Sequence, residues 1–140
     1  PGTRFPAFRF GFDGLADPFS RPSDTTGALG DSFYVVAVNT QVAVYDRTGV
    51  QVVAPIQLDA LHPDSSGRLS FDPKVIYDQY AGRFLVVSLE QTDTAFGDPA
   101  NTSRIFVAGS DDSNPAGKRA RSESNSGMRC FTDRTPRRSC

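Results

Sequence analysis

The run PSDTTGALGDSFYVVAVNTQVAVYDRTG, Pro22 to Gly49, decides the fold. Its first third, punctuated by Gly, Asp and Ser, reads as a lead-in loop. Phe33–Val38 then has the β-branched and aromatic make-up of a strand, Asn39-Thr40 a tight turn, and Gln41–Asp46 a second strand closed by a turn at Gly49. Both strands are apolar at odd and even positions alike, so both faces of the hairpin are to be covered. With few helix formers in the chain to supply that cover, it must come from other sheets, as in a sandwich or a propeller.

Working outward, Val50–Val53 returns as a third strand and makes a meander. Residues 54–72, with Pro55, Pro63 and Gly67, read as a crossover loop holding a solvated His62. Strands are expected again at 73–78, 83–89 and 103–108, with a turn at 79–82 and a loop at 93–101. The pattern Tyr45-Asp46 then Gly49 returns as Tyr77-Asp78 then Gly82, a spacing that joins differently placed strands of neighbouring sheets or reflects a shared hairpin grammar. Asp46 and Asp78 are expected to form these turns. Ahead of the hairpin, residues 1–21 carry Phe5, Phe8, Phe10, Phe12 and Phe19. The spacing of Phe8, Phe10 and Phe12 fits a short strand or an aromatic strip laid over the first sheet.

Composition narrows the function classes. Residues 1–117 hold 8 of the 15 Lys and Arg but 14 of the 16 Asp and Glu, whereas residues 118–140 hold the other 7 and 2. An acidic body argues against nucleic acid as a partner, because phosphate binding needs a basic face. The segment 118–140, KRARSESNSGMRCFTDRTPRRSC, has no strand or helix period and is expected to be disordered. Cys130 and Cys140 both lie in it, so a disulfide between them would close only a small loop and could not staple the core. No apolar run is long enough for a membrane-spanning helix. The chain begins at Pro1, which suggests a removed leader or a longer N-terminal part.

The order Pro22-Ser23-Asp24-Thr25-Thr26-Gly27-Ala28-Leu29-Gly30, then Tyr34-Val35, Val38-Asn39 and Ala43-Val44-Tyr45-Asp46-Arg47-Thr48-Gly49, resembles the first-blade signature of a family of secreted bacterial β-propeller-like repeat proteins. Asp72-Pro73-Lys74-Val75-Ile76-Tyr77-Asp78-Gln79 with Gly82-Arg83-Phe84 is similar to the family's second-blade segment, and Ser110–Gly117 also fits. The resemblance implies an all-β chain of antiparallel meander blades. At about 40–50 residues per blade, residues 22–117 make an incomplete propeller of two blades and part of a third. It also implies that the remaining blades of a larger extracellular or cell-surface protein are partners. Phe33 stands where relatives often carry His. After Gly117 the family continues with a Trp that this chain lacks, so residues 118–140 are expected to be a non-native continuation.

Chemistry is thin. His62 is the single histidine, with no nucleophile elbow and no cysteine in the body to join it, so no catalytic residue is assigned. One His and two tail Cys give no zinc spacing. Calcium is the one metal weighed, with Asp111, Asp112 and Asn114 as weak candidate ligands against the alternative that these side chains cap turns. Asn101-Thr102-Ser103 matches a glycosylation sequon, a frequent chance match. The expectation is a non-enzymatic binding or scaffold module, without cofactor, for an extracellular protein or carbohydrate ligand. The alternatives are the N-terminal part of a propeller-class glycosidase or lyase, and a truncated product without function of its own.

Overall fold

A computed structural model describes residues 11–62, 69–92, 102–117 and 128–131. The chain is all-β, with one 3₁₀ turn at Leu58–Leu61 and no α-helix among the described residues. The strands are β1 (Thr25–Leu29), β2 (Phe33–Val38), β3 (Gln41–Asp46), β4 (Gln51–Gln57), β5 (Ser70–Asp78), β6 (Arg83–Thr92), β7 (Thr102–Ser110) and β8 (Met128–Phe131). They form two four-stranded sheets in simple chain order, β1-β2-β3-β4 and β5-β6-β7-β8, with every neighbour antiparallel.

The hairpin at the centre of the sequence reading has its expected bounds. Val38 pairs with Gln41 across the Asn39-Thr40 turn, where Asn39 takes φ 50, a region that Asn tolerates through local hydrogen bonding. Phe33 pairs with Asp46 at the other end. The next turn closes as its composition dictates. Asp46 Oδ1 accepts from the Thr48 and Val50 amides at 2.8 and 3.0 Å, and Gly49 takes φ 85. At the β5–β6 turn Asp78 Oδ1 accepts from Tyr80 and Ala81 at 2.9 and 3.1 Å, with Gly82 at φ 61. The two Tyr-Asp turns are thus chemical equivalents at different places. One follows the third strand of its sheet, the other the first.

Several expectations are corrected. Part of the lead-in loop is β1, paired along its length with β2. β4 runs on to Gln57 through Pro55, which an edge strand tolerates because its outer amides need no partner. β5 starts at Ser70, earlier than expected, because Asp72-Pro73 is a β-bulge rather than a boundary. Phe71 pairs with Leu89 and Lys74 with Val87, so the bulged strand has one residue extra. In the tail expected to be disordered, Met128–Phe131 pair with Val107–Ser110 as β8. Phe8, Phe10 and the rest of the tail lie outside the described residues. Phe12 is not in a strand. It lies on the first sheet against Tyr34 and Tyr45, with ring centroids 5.8 and 5.2 Å apart.

The two sheets meet face to face. Val35, Ala37, Val42 and Val44 of the first pack with Val75, Phe84, Val86 and Ala108 of the second, and Leu58 and Leu61 close the end of this core. β1 and β5 lie against each other. The Val75 amide donates to Thr26 Oγ1 at 3.3 Å, and Gly30 lies so close to the Phe84 and Tyr77 rings that a Cβ there would be 2.6 and 2.9 Å from them.

Candidate functional site: a cleft between the first strands

Between the start of β1 and the bulge of β5 lies an open cleft of about 410 Å³, lined by Ser23, Asp24 and Thr25 on one wall and Asp72, Pro73 and Lys74 on the other. Local chemistry shapes each wall. The Asn39 side chain accepts from the Asp24 amide at 2.8 Å and donates to Asp17 Oδ2 at 2.9 Å, while the Asn39 amide donates to the Asp24 carbonyl at 3.2 Å. Asp17 Oδ1 also accepts from the Phe19 amide at 2.9 Å. These bonds, that of Asn39 foremost, hold the Asp17 carboxyl at about 2, below the usual range. A turn residue between β2 and β3 therefore fixes the backbone that presents Asp24. Ser23 and Thr25 hydroxyls bond each other at 3.1 Å.

On the opposite wall, the bulge sets Asp72 at φ 50 and turns it out of the ladder. Among the described residues the Asp24 and Asp72 carboxylates and the Lys74 ammonium have no hydrogen-bond or ion-pair partner, whereas elsewhere Glu90 is paired with Arg104 at 3.3 Å. The cleft thus offers two free carboxylates as acceptors, one free ammonium as donor, and two hydroxyls that do either.

The candidate calcium loop is arranged differently. Asp112 Oδ1 accepts from the Asn114 amide at 2.7 Å, Asn114 Oδ1 accepts from the Ala116 amide at 3.1 Å, and the Asp112 carbonyl accepts from Ser110 Oγ. Asp111, Asp112 and Asn114 share one loop, and the last two spend an oxygen each on capping it. No group of three or more His, Cys, Asp or Glu side chains placed to hold a metal occurs among the described residues. Asp64, Asp93, Asp98 and the sequon's Asn101 lie outside them.

His62 is not the solvated loop residue its surroundings suggested. It is 2% exposed, its ring stacks on Phe106 at 4.4 Å, and its Nε2 lies 3.0 Å from Ser88 Oγ. Burial pushes its pKa down to about 4, against an opposing pull from the Asp59 charge. A Ser–His contact with an Asp nearby has the composition of a triad. Ser88, however, is fully buried in the middle of β6, where no substrate can reach it. The pair fastens the 3₁₀ turn to the second sheet. The pattern that could have revealed it is Leu58, Leu61 and His62, with one-turn spacing inside an apparent loop.

Comparison of the chain with family models, with curated proteins and with solved structures finds no match.

Proposed function

We propose that the chain is a β-propeller-type binding module, secreted or at the cell surface, that holds a carbohydrate in the cleft between β1 and β5 without transforming it. The observation that carries this reading is the set of polar groups in the cleft, the Asp24 and Asp72 carboxylates and the Lys74 ammonium, which have no partner among the described residues, beside the Ser23 and Thr25 hydroxyls that bond each other. Closely spaced acceptors and donors facing each other across an open trough suit a ligand rich in hydroxyl groups.

The propeller part of the reading draws on the resemblance of residues 12–117 to secreted bacterial propeller-like repeats, and on two consecutive four-stranded meanders that stand side by side through their first strands. Its partners are the further sheets that extend such a stack and the extracellular ligand. Binding without catalysis is favoured by the openness of the cleft. Glycoside cleavage needs two carboxyls at a set separation in a site that excludes water from the leaving group.

Titration calorimetry against a panel of neutral oligosaccharides tests the reading. Saturable binding is expected for at least one member, lost when Asp24→Asn and Asp72→Asn are combined, with the sugar recovered intact. Shortened products that disappear in the same double variant would make the chain an enzyme. No binding across the panel would remove carbohydrate as the ligand class.

A further inference from the structure

The cleft walls are polar almost throughout, with Pro73 the one apolar residue among Ser23, Asp24, Thr25, Asp72 and Lys74. In an open trough each hydrogen bond to a ligand replaces one to water, so the net gain per bond is small. A sugar ring also has an apolar face, made by its axial C–H groups, and that face stays wet unless something flat and apolar covers it. Affinity for a carbohydrate here therefore calls for an aromatic ring beside the polar groups. Such a ring removes apolar area from water and turns its negative face to the C–H hydrogens.

Among the described residues two aromatic side chains are almost wholly exposed, Phe19 and Tyr80, each at 94%. Exposure alone singles out neither. Their backbones differ. Tyr80 stands in the β5–β6 turn, past Asp78, at the end of β5 remote from the Asp72–Lys74 wall. Phe19 belongs to the hydrogen-bonded frame of the opposite wall. Its amide and that of Ser20 donate to Asp17 Oδ1 at 2.9 and 3.3 Å, Asp17 Oδ2 accepts from Asn39 at 2.9 Å, and Asn39 Oδ1 accepts from the Asp24 amide at 2.8 Å. One Asp and one Asn thus position both Phe19 and Asp24. The chain bends from Pro18 to Pro22, which brings Phe19 nearer to Asp24 than five extended residues would, a reach of about 18 Å. A few linked sugar units cover that span.

We propose that Phe19 is the stacking platform of the cleft: its ring covers the apolar face of one sugar unit while a neighbouring unit of the same oligosaccharide bonds to Asp24, Asp72 and Lys74. The assignment rests on the preceding reading that the cleft holds a carbohydrate. The frame gives an exposed ring a fixed point of attachment relative to the polar groups, so less ordering is left to the moment of binding. Exposed as it is, Phe19 packs on almost nothing within the chain, and its part is in binding rather than in the fold.

Titration calorimetry of the whole chain with cellohexaose, xylohexaose, mannohexaose and maltohexaose gives the test. A hexaose that binds the parent is expected to bind Phe19→Ala about tenfold more weakly. Tyr80→Ala should bind it as the parent does, and urea unfolding of both variants should be unchanged. Phe19→Trp keeps the platform, and because the sequence has no Trp its indole emission reports on that position alone. That emission should shift along the calorimetric saturation curve. Undiminished binding by Phe19→Ala, equal losses in Phe19→Ala and Tyr80→Ala, or an emission indifferent to saturating hexaose would each overturn the assignment while leaving the cleft a carbohydrate site. A parent that binds no hexaose would remove both the assignment and the reading beneath it.

Discussion

Lowering the pH from 7 to 4.5 puts the buried His62 under direct test. Its folded pKa is about 4, against 6.5 for the free side chain. Between those values the unfolded chain binds a proton that the folded chain refuses, so stability is fully present above 6.5 and is lost as the pH falls toward 4. At about 1.4 kcal/mol per pKa unit, the full loss is about 3 kcal/mol, a large fraction of a stability that for such a domain is about 5–15 kcal/mol. Among the groups facing the ring are Ser88 and Phe106, with the Asp59 charge nearby, and the cost of burying an imidazolium outweighs the pull of that charge.

The assay is urea unfolding at fixed protein concentration at pH 7, 6, 5 and 4.5, for the parent and for His62→Gln, which can keep a hydrogen bond to Ser88 but cannot titrate. The parent should lose stability across this window, while His62→Gln should be flat. Asp17 and Asp46 do not blur the result. Both are held below their usual 3.8 by their hydrogen bonds, so what they contribute is present above that value and lost only at lower pH. Equal slopes for the two proteins between pH 6.5 and 4.5 would refute the claim that His62 is a neutral core residue.

Two further outcomes follow from the packing. Gly30→Ala places a methyl within 2.6 Å of the fully buried Phe84 ring and should cost about 1–3 kcal/mol in urea unfolding; a neutral effect would mean that the sheets do not meet at β1 and β5. Asn39→Ala removes the bonds to Asp24 and Asp17 and the tolerance for φ 50, so it should cost about 1–2 kcal/mol and weaken oligosaccharide binding as well. Stability lost with binding untouched would show that Asn39 does not shape the cleft.

What was legible in the sequence was what neighbours along the chain determine. β2, β3 and the turns at Asn39, Gly49 and Gly82 follow from local alternation, Asx hydrogen bonding and positive φ, and they stand where they were expected. β1 was hidden because Thr-Thr-Gly-Ala-Leu has no strong strand propensity. It is a strand because β2 offers a paired edge and β5 a neighbour. The Asp72-Pro73 bulge read as a boundary for a related reason: the residues that break a ladder locally are those a bulge uses. The cleft was not legible at all, since its walls are distant in sequence and only the packing of two sheets brings them together. His62 was misplaced because the aromatic that buries it, Phe106, comes from β7, distant in sequence, where it pairs with Ser88 on one face of the second sheet.

Ser23–Thr25 and Asp72–Lys74 form the two walls of the proposed binding cleft. Backbone amide NMR of the ¹⁵N-labelled chain during titration with an oligosaccharide that binds tests it most directly. Shifts in Asp24, Thr25, Asp72 and Lys74 that rise together along one saturation curve are the predicted result. Shifts confined to one wall, or centred on the Asp111–Asn114 loop, would contradict it.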